Sequence, residues 1–320
     1  MIGTVAAAVV AAAAVVDGVR RHDEPVAAAA ATTAEDDIGR SDAAALLGAL
    51  GARGELVLYD AGCDEHRLLL PSLAQRTIND CRRGVESPDG ALIARCVDAG
   101  VDVQRTAGGE VRRLPGCAPA WRPDGTLTMA FGDEVVTYRP CAGQAQCPET
   151  LIGRAQLERA ARRHPTVPDR PARLRALVDG IAWLSDTRAA VTISIRLGGR
   201  FEGLGPLGAT AFFDGGQLEP VTPYFRLTGG RLTASPRGSY ITQTPDVILR
   251  PDGSQLSLPQ HLSGARDFAW SPDERLLALA TPFAVTIVDV VSLERYDRTG
   301  GGLRSVTLPL SQSAARVAWR

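Results

Sequence analysis

The chain has 320 residues, 45% of them hydrophobic and 22% charged, with a formal net charge of -1. That length supports a sizeable core, and the near-balanced charge excludes a global basic field for nucleic acid. All 35 basic residues are arginine, which removes Schiff-base and lysine-nucleophile chemistry.

In chain order, residues 2–16 are an uncharged apolar run ahead of Asp17 and Arg20-Arg21. As a helix this run spans about 22 Å against about 30 Å of bilayer hydrocarbon. Residues 1–16 therefore read as a signal peptide or signal anchor, the chain's single expected tie to a membrane. Residues 17–53 read as a linker carrying Glu35-Asp36-Asp37, with Ser41 as the N-cap of a short helix through Leu50. From residue 54 the pattern changes to short β-branched runs bounded by Gly, Pro and Asp, as strands are. Residues 55–60 and 67–70 are expected outer strands with no inner strand before them.

A local phrase then recurs. It reads Glu86-Ser87-Pro88-Asp89-Gly90, Ala120-Trp121-Arg122-Pro123-Asp124-Gly125, Ala182-Trp183-Leu184-Ser185-Asp186, Ala234-Ser235-Pro236-Arg237-Gly238, Ala269-Trp270-Ser271-Pro272-Asp273-Glu274 and Ala318-Trp319. All four tryptophans of the chain follow alanine in it. Proline presets the first corner of a turn, aspartate bonds its own backbone two residues on, and glycine accepts the left-handed geometry that follows. Equivalent positions fall at residues 86, 121, 183, 234, 270 and 319, spaced by 35 to 62 residues. Repeats of that length, with hairpin turns between apolar strands, predict an all-β chain folded as a β-propeller over residues 54–320. Trp121, Trp183, Trp270 and Trp319 are expected on crowded inner strands, filling space between blades. Asp89, Asp124 and Asp273 are expected as turn formers.

The segment Ala269-Trp270-Ser271-Pro272-Asp273, followed by Leu276-Leu277-Ala278-Leu279-Ala280, resembles the repeat of TolB-type propellers and their WD-like relatives. The resemblance spans residues 54–320 and is best over 86–138 and 265–310. It implies six blades of four strands. Arg237 stands where the pattern has aspartate, Leu184-Ser185 replaces Ser-Pro, and Glu86 stands where a tryptophan would be. The N- and C-terminal runs are expected to share one blade, which closes the ring and pairs otherwise exposed edges. Three strands of that blade are evident.

The long interval between the second and third phrases carries a different pattern. Residues 149–163 read as a helix opened by Pro148 and stopped at Pro165, an insert over about 148–165 between blades 2 and 3. Seven arginines between Arg154 and Arg175 make it the locally basic surface. Arg159, Arg162 and Arg163 are its candidate contacts for an acidic partner or anionic envelope material.

Six cysteines behind a secretory start read as disulfides. Cys141 and Cys147 enclose a short loop, and Cys81 and Cys96 lie equidistant from the Pro88-Asp89 turn, giving two candidate pairs. Cys63 and Cys117 remain over. No Cys-x-x-Cys, His-Glu-x-x-His or Gly-x-Ser-x-Gly motif occurs. Gly203-Leu204-Gly205-Pro206-Leu207-Gly208 spells a dinucleotide fingerprint, but a strand-like run follows it where a helix is needed. No catalytic residue, metal or cofactor is expected. The favoured reading is a monomeric, exported or membrane-anchored binding module of the cell envelope with a protein or envelope-component partner. The alternative is a propeller-type lyase, lactonase or glycan hydrolase with carboxylates at the channel mouth.

Overall fold

The computed structural model describes residues 34–60, 65–78, 84–98, 100–141, 144–165, 167, 173–199, 207–224, 231–245, 247–310 and 314–320. The expected signal segment, Cys63, Cys81 and the side chains of Cys141 and Cys147 lie outside that description. Helix α1 (Ala34–Leu50) comes first, then β1 (Gly54–Asp60), β2 (Glu65–Leu70) and β3 (Ala74–Ile78). Blade 1 is β4 (Val85–Glu86), β5 (Leu92–Val97), β6 (Gly100–Arg105) and β7 (Arg112–Pro115). Blade 2 is β8 (Cys117–Trp121), β9 (Leu127–Phe131), β10 (Glu134–Cys141) and β11 (Gln144–Ile152). Helix α2 (Arg154–Arg162) leads to blade 3, made of β12 (Leu174–Trp183), β13 (Arg188–Leu197), β14 (Leu207–Asp214) and β15 (Gln217–Tyr224). Blade 4 holds the short strands β16 (Leu232–Ala234), β17 (Ile241–Gln243), β18 (Val247–Leu249) and β19 (Gln255–Leu256). Blade 5 is β20 (Asp267–Trp270), β21 (Leu276–Ala280), β22 (Ala284–Asp289) and β23 (Ser305–Pro309), with α3 (Val290–Thr299) between its last two strands. Strand β24 (Ala314–Trp319) pairs with β1 and completes blade 6 in the order β24-β1-β2-β3.

The fold is thus a six-bladed β-propeller of antiparallel four-stranded sheets, closed by both ends of the described chain. The six repeat positions end the six inner strands β4, β8, β12, β16, β20 and β24. The turns form as their residue types dictate. In blade 1 the Ser87 hydroxyl donates to Asp89 at 2.6 Å and accepts from the Leu92 amide at 2.9 Å. Ser271, Asp273 and the Leu276 amide repeat that geometry in blade 5, and Asp124 accepts from the Thr126 amide at 2.8 Å. Glu274 takes the left-handed conformation (φ 59°) that glycine holds at Gly90 and Gly125.

Tryptophans join neighbouring blades. The Trp121 indole donates to the Val85 carbonyl of blade 1 at 2.8 Å, and that of Trp183 donates to the Thr128 hydroxyl of blade 2 at 2.8 Å. Trp270 stacks on Tyr240 of blade 4, with centroids 5.0 Å apart. Trp319 instead bonds the Arg53 carbonyl within its own blade.

Four expectations need correction. The closing blade has a fourth strand, Ala74–Ile78, whose polar sequence hides it because an outer edge strand needs little apolar surface. Residues 149–152 are not helical: they continue β11, where β-branched Thr150 and Ile152 pair with Val136 and Val135 of β10. The helix begins only after Gly153, whose amide is capped by the Gln156 side chain at 2.9 Å. Ser41 lies inside α1, which starts at Ala34. Cys96 is bonded to Cys117, with Cα atoms 5.2 Å apart, and not to Cys81. Symmetry about the turn assumes one register, whereas the described β4–β5 pairs, Val85↔Ala94 and Glu86↔Ile93, run two residues off the register that would face position 81 with Cys96. The bridge crosses to the inner strand of the next blade.

Candidate functional site in the central channel

The inner strands surround a cavity of about 770 Å³, within the roughly 300–1,000 Å³ of small-ligand sites. Its wall is largely small: Gly84, Ala118, Ala120, Gly180, Ala182 and Ala234 contribute backbone and methyl groups. Among the described residues its charged groups are Arg95, Arg231, Arg266 and Arg316, with Asp179 and Asp267. Four of these six share one level. Arg231, Asp267 and Arg316 stand three residues before the repeat positions Ala234, Trp270 and Trp319, and Arg266 stands four before Trp270. Because inner strands repeat in direction from blade to blade, equal offsets put these residues at the same end of the channel.

Asp267 is only 2% exposed. Its carboxylate accepts from the Arg231 guanidinium at 2.8 Å and from the Val317 amide at 2.9 Å. One buried charge therefore joins blades 4, 5 and 6, and its own demand for partners is met. Asp179 differs. Between β12 and β13 the register shifts from Val178↔Ile193 to Gly180↔Thr192, so Asp179 is a bulged residue outside the Cα register. A bulge re-aims a side chain, and this one lines the cavity. Partial desolvation at the bulge pushes the Asp179 carboxyl above its ordinary range although the side chain stays open to the cavity, against the opposing pull of Arg196 and a hydrogen bond with Ser194. The Arg266 side chain is exposed and has no ion-pair partner among the described residues.

The residues singled out by sequence lie elsewhere or act structurally. Trp121 and Trp183 border the cavity but use their polar ends at blade seams. Asp89, Asp124 and Asp273 sit in turns, outside the cavity lining. Arg159, Arg162 and Arg163 are exposed on α2, which buries Leu157, Ala160 and Ala161 instead. Arg163 reaches Glu219 at 3.8 Å between two largely exposed side chains. Of the described histidines, His66 lies on β2, His164 is buried after α2 and His261 is in a 3-10 turn. None lines the cavity. The signal of the channel charges in the sequence is their shared offset from the repeat positions, which no local motif around Arg231, Asp267 or Arg316 displays.

No family model matches the sequence, and no curated protein is similar to it. Solved structures with a similar chain path include hydrazine synthase of Kuenenia stuttgartiensis, at 16% identity over 73% of this chain and 87% of that one, with a TM-score of 0.37. A Bacteroides uniformis protein assigned as a 6-phosphogluconolactonase is 12% identical over 82% and 84% of the two chains, with a TM-score of 0.43. A chain of the mitotic checkpoint complex is 16% identical over 71% and 84%, at 0.38. Similarity at this level carries no argument about activity, and the blade count rests on the six sheets themselves.

Proposed function

We propose that this chain is a non-catalytic binding propeller working outside the cytoplasm, with the channel end as its ligand- or partner-binding surface. The observation that carries the reading is the composition of that end: four arginines against two aspartates, one of which, Asp267, is already committed to Arg231 and Val317. Such a set recognises charge and offers no paired carboxylates for acid–base work. The Cys96–Cys117 bridge supports an oxidising compartment, as does the apolar segment at residues 2–16. The TolB-type resemblance of residues 269–280 supports a protein partner, with the basic face of α2 (Arg159, Arg162, Arg163) as a second contact. The enzymatic alternative rests on Asp179, whose raised pKa suits a general acid.

Two measurements test the reading. Alkaline phosphatase fused after Arg320 is expected to be active in intact cells, and an inactive, stably made fusion removes the extracytoplasmic assignment. A photo-crosslinking residue at Thr233, on the cavity wall, is expected to give a discrete adduct in the native host. Adducts only from outer loops would move the binding surface away from the channel. Turnover of lactone or glycan substrates that Asp179→Asn abolishes would favour the enzyme.

A further inference from the structure

We propose that one side of the ring is the docking surface of an acidic folded protein, anchored by Phe131 and Phe283 and steered by Arg159 and Arg162. The inference rests on the chain being a binding propeller, and it names the anchors and the chemistry of the partner. In an antiparallel blade, the hairpin joining the second and third strands and the connection from the fourth strand to the next inner strand leave the sheet on one side. That side holds Phe131 on the β9–β10 hairpin, Phe283 on the β21–β22 hairpin and α2 between β11 and β12. Phe131 is 49% and Phe283 77% exposed, whereas Phe212, Phe213 and Phe268 are buried. No other Phe, Tyr or Trp among the described side chains is exposed. Single exposed apolar residues need no explanation, but these two hold the same place in the blade, three blades apart in a ring of six. They therefore stand on opposite sides of the channel mouth. One occupant covering both bridges that mouth, which a small ligand or a peptide along a single blade does not do.

Charge identifies the partner's surface. The hairpin that carries Phe131 brings Asp133 to Arg154 at 3.4 Å, so the first anchor lies at the opening turn of α2. Arg159 and Arg162 follow at about 7.5 and 12 Å along the helix axis, both exposed and without an ion pair among the described residues. Three residues apart, they share one face of the helix. An exposed phenyl ring beside such arginines has the composition of a protein interface, where aromatic residues and arginine are enriched, and it complements carboxylates on the other partner. A bilayer is the poorer match, because inserting Phe131 would take the carboxylates of Asp133 and Glu134, on the same hairpin, out of water with it.

The experiment places a photo-crosslinking phenylalanine analogue at position 131, 283 or, as a control, 291 of the full chain in its native host. Val291 is equally apolar and 65% exposed, but α3 joins the third and fourth strands of blade 5 and so lies on the other side of the ring. Positions 131 and 283 are expected to crosslink to one and the same protein, identified by mass spectrometry and net negative, which position 291 does not reach. With that protein purified, Phe131→Ala, Phe283→Ala and the double change Arg159→Glu with Arg162→Glu should each weaken binding by about tenfold, and salt should weaken the wild-type complex. All four side chains are exposed, so the variants are expected to melt as wild type does. Different adducts at 131 and 283, the same adduct at 291, a basic partner, a second copy of this chain as the adduct, or unchanged affinity in the variants overturns the proposal. So does Phe131-dependent sedimentation with phosphatidylglycerol vesicles, which would make the surface a membrane contact. If 131 and 283 give no adduct while Thr233 does, this surface is wrong and the channel reading stands. Adducts at 131 and 283 without one at Thr233 keep this surface and remove the channel, and no adduct at any of the three removes both.

Discussion

The indole of Trp183 makes three contacts at one seam: it donates to Thr128, lies edge-on to Phe213 at 6.4 Å and carries the Arg122 guanidinium over its face at 4.9 Å. Trp270 is equally buried, yet its ring nitrogen has no hydrogen-bond partner among the described residues. Identical substitutions should therefore differ. Trp183→Phe keeps most of the apolar burial but loses a hydrogen bond, at about 1 kcal/mol. Thr128 still donates to the Ala120 carbonyl, which limits the loss. Trp270→Phe keeps the stack on Tyr240 and relieves an unmet polar group, so it should cost less. Urea midpoints for the two variants check the order, and a larger loss for Trp270→Phe would contradict this account of the seams.

At the scale of elements, α3 ties blade 5 to blade 4. Arg250 in blade 4 donates to Glu294 and Asp297 of α3, each at 2.9 Å, and Tyr240 donates to Glu294 at 3.2 Å. The Arg250 hydrogen bond is the main cause holding both carboxyls below their ordinary ranges. A carboxyl whose folded pKa is lowered stabilises the fold above its unfolded pKa, and that contribution is lost as pH falls through the folded value. Glu294→Gln should therefore lower stability at pH 7 by about 1–2 kcal/mol, with the gap to wild type narrowing as pH falls below the ordinary carboxylate range. Melting curves across that range measure it. Burial and the nearby Glu294 push the Tyr240 hydroxyl up to about 12, so the same seam should weaken as pH rises above 10. Helix α2 is the opposite case, with its arginines in solvent and its core contacts made by Leu157, Ala160 and Ala161. Reversing Arg159, Arg162 and Arg163 to glutamate should change stability by under about 1 kcal/mol while weakening retention on polyglutamate resin. A collapse of the melting temperature would mean that the arginines hold the insert in place.

The whole molecule depends on closure. Strand β24 pairs with β1 across Leu56↔Trp319 through Tyr59↔Arg316, and its Val317 amide is a partner of buried Asp267. Removing residues 314–320 leaves β1 as an open edge, takes Trp319 and its bond to Arg53 with it and deprives Asp267 of one of its two donors. Loss of the cooperative transition, or a melting temperature lowered by well over 10 °C with earlier elution, is expected. An unchanged melt would show that the ring holds without its last strand. The Cys96–Cys117 bridge acts at another seam, fastening β5 of blade 1 to β8 of blade 2 over a separation of 21 residues.

Blade type, the six repeat positions and the turn geometry were legible in the sequence because each depends on contacts within a few residues: Ser87 with Asp89 and Leu92, or Asp124 with Thr126. Trp121, Trp183 and Trp270 meet the neighbouring blade, as a large ring on a crowded inner strand does, whereas Trp319 turns to Arg53 of its own blade. What the tertiary structure decided lies across seams. The partner of Cys96, the arginines brought to one channel end and the bulge that turns Asp179 inward all depend on which inner strands become neighbours and in what register. Hydrophobic pattern sets the face that each strand buries, but the ring sets which charges from different repeats meet, and that proximity is a property of the closed toroid alone.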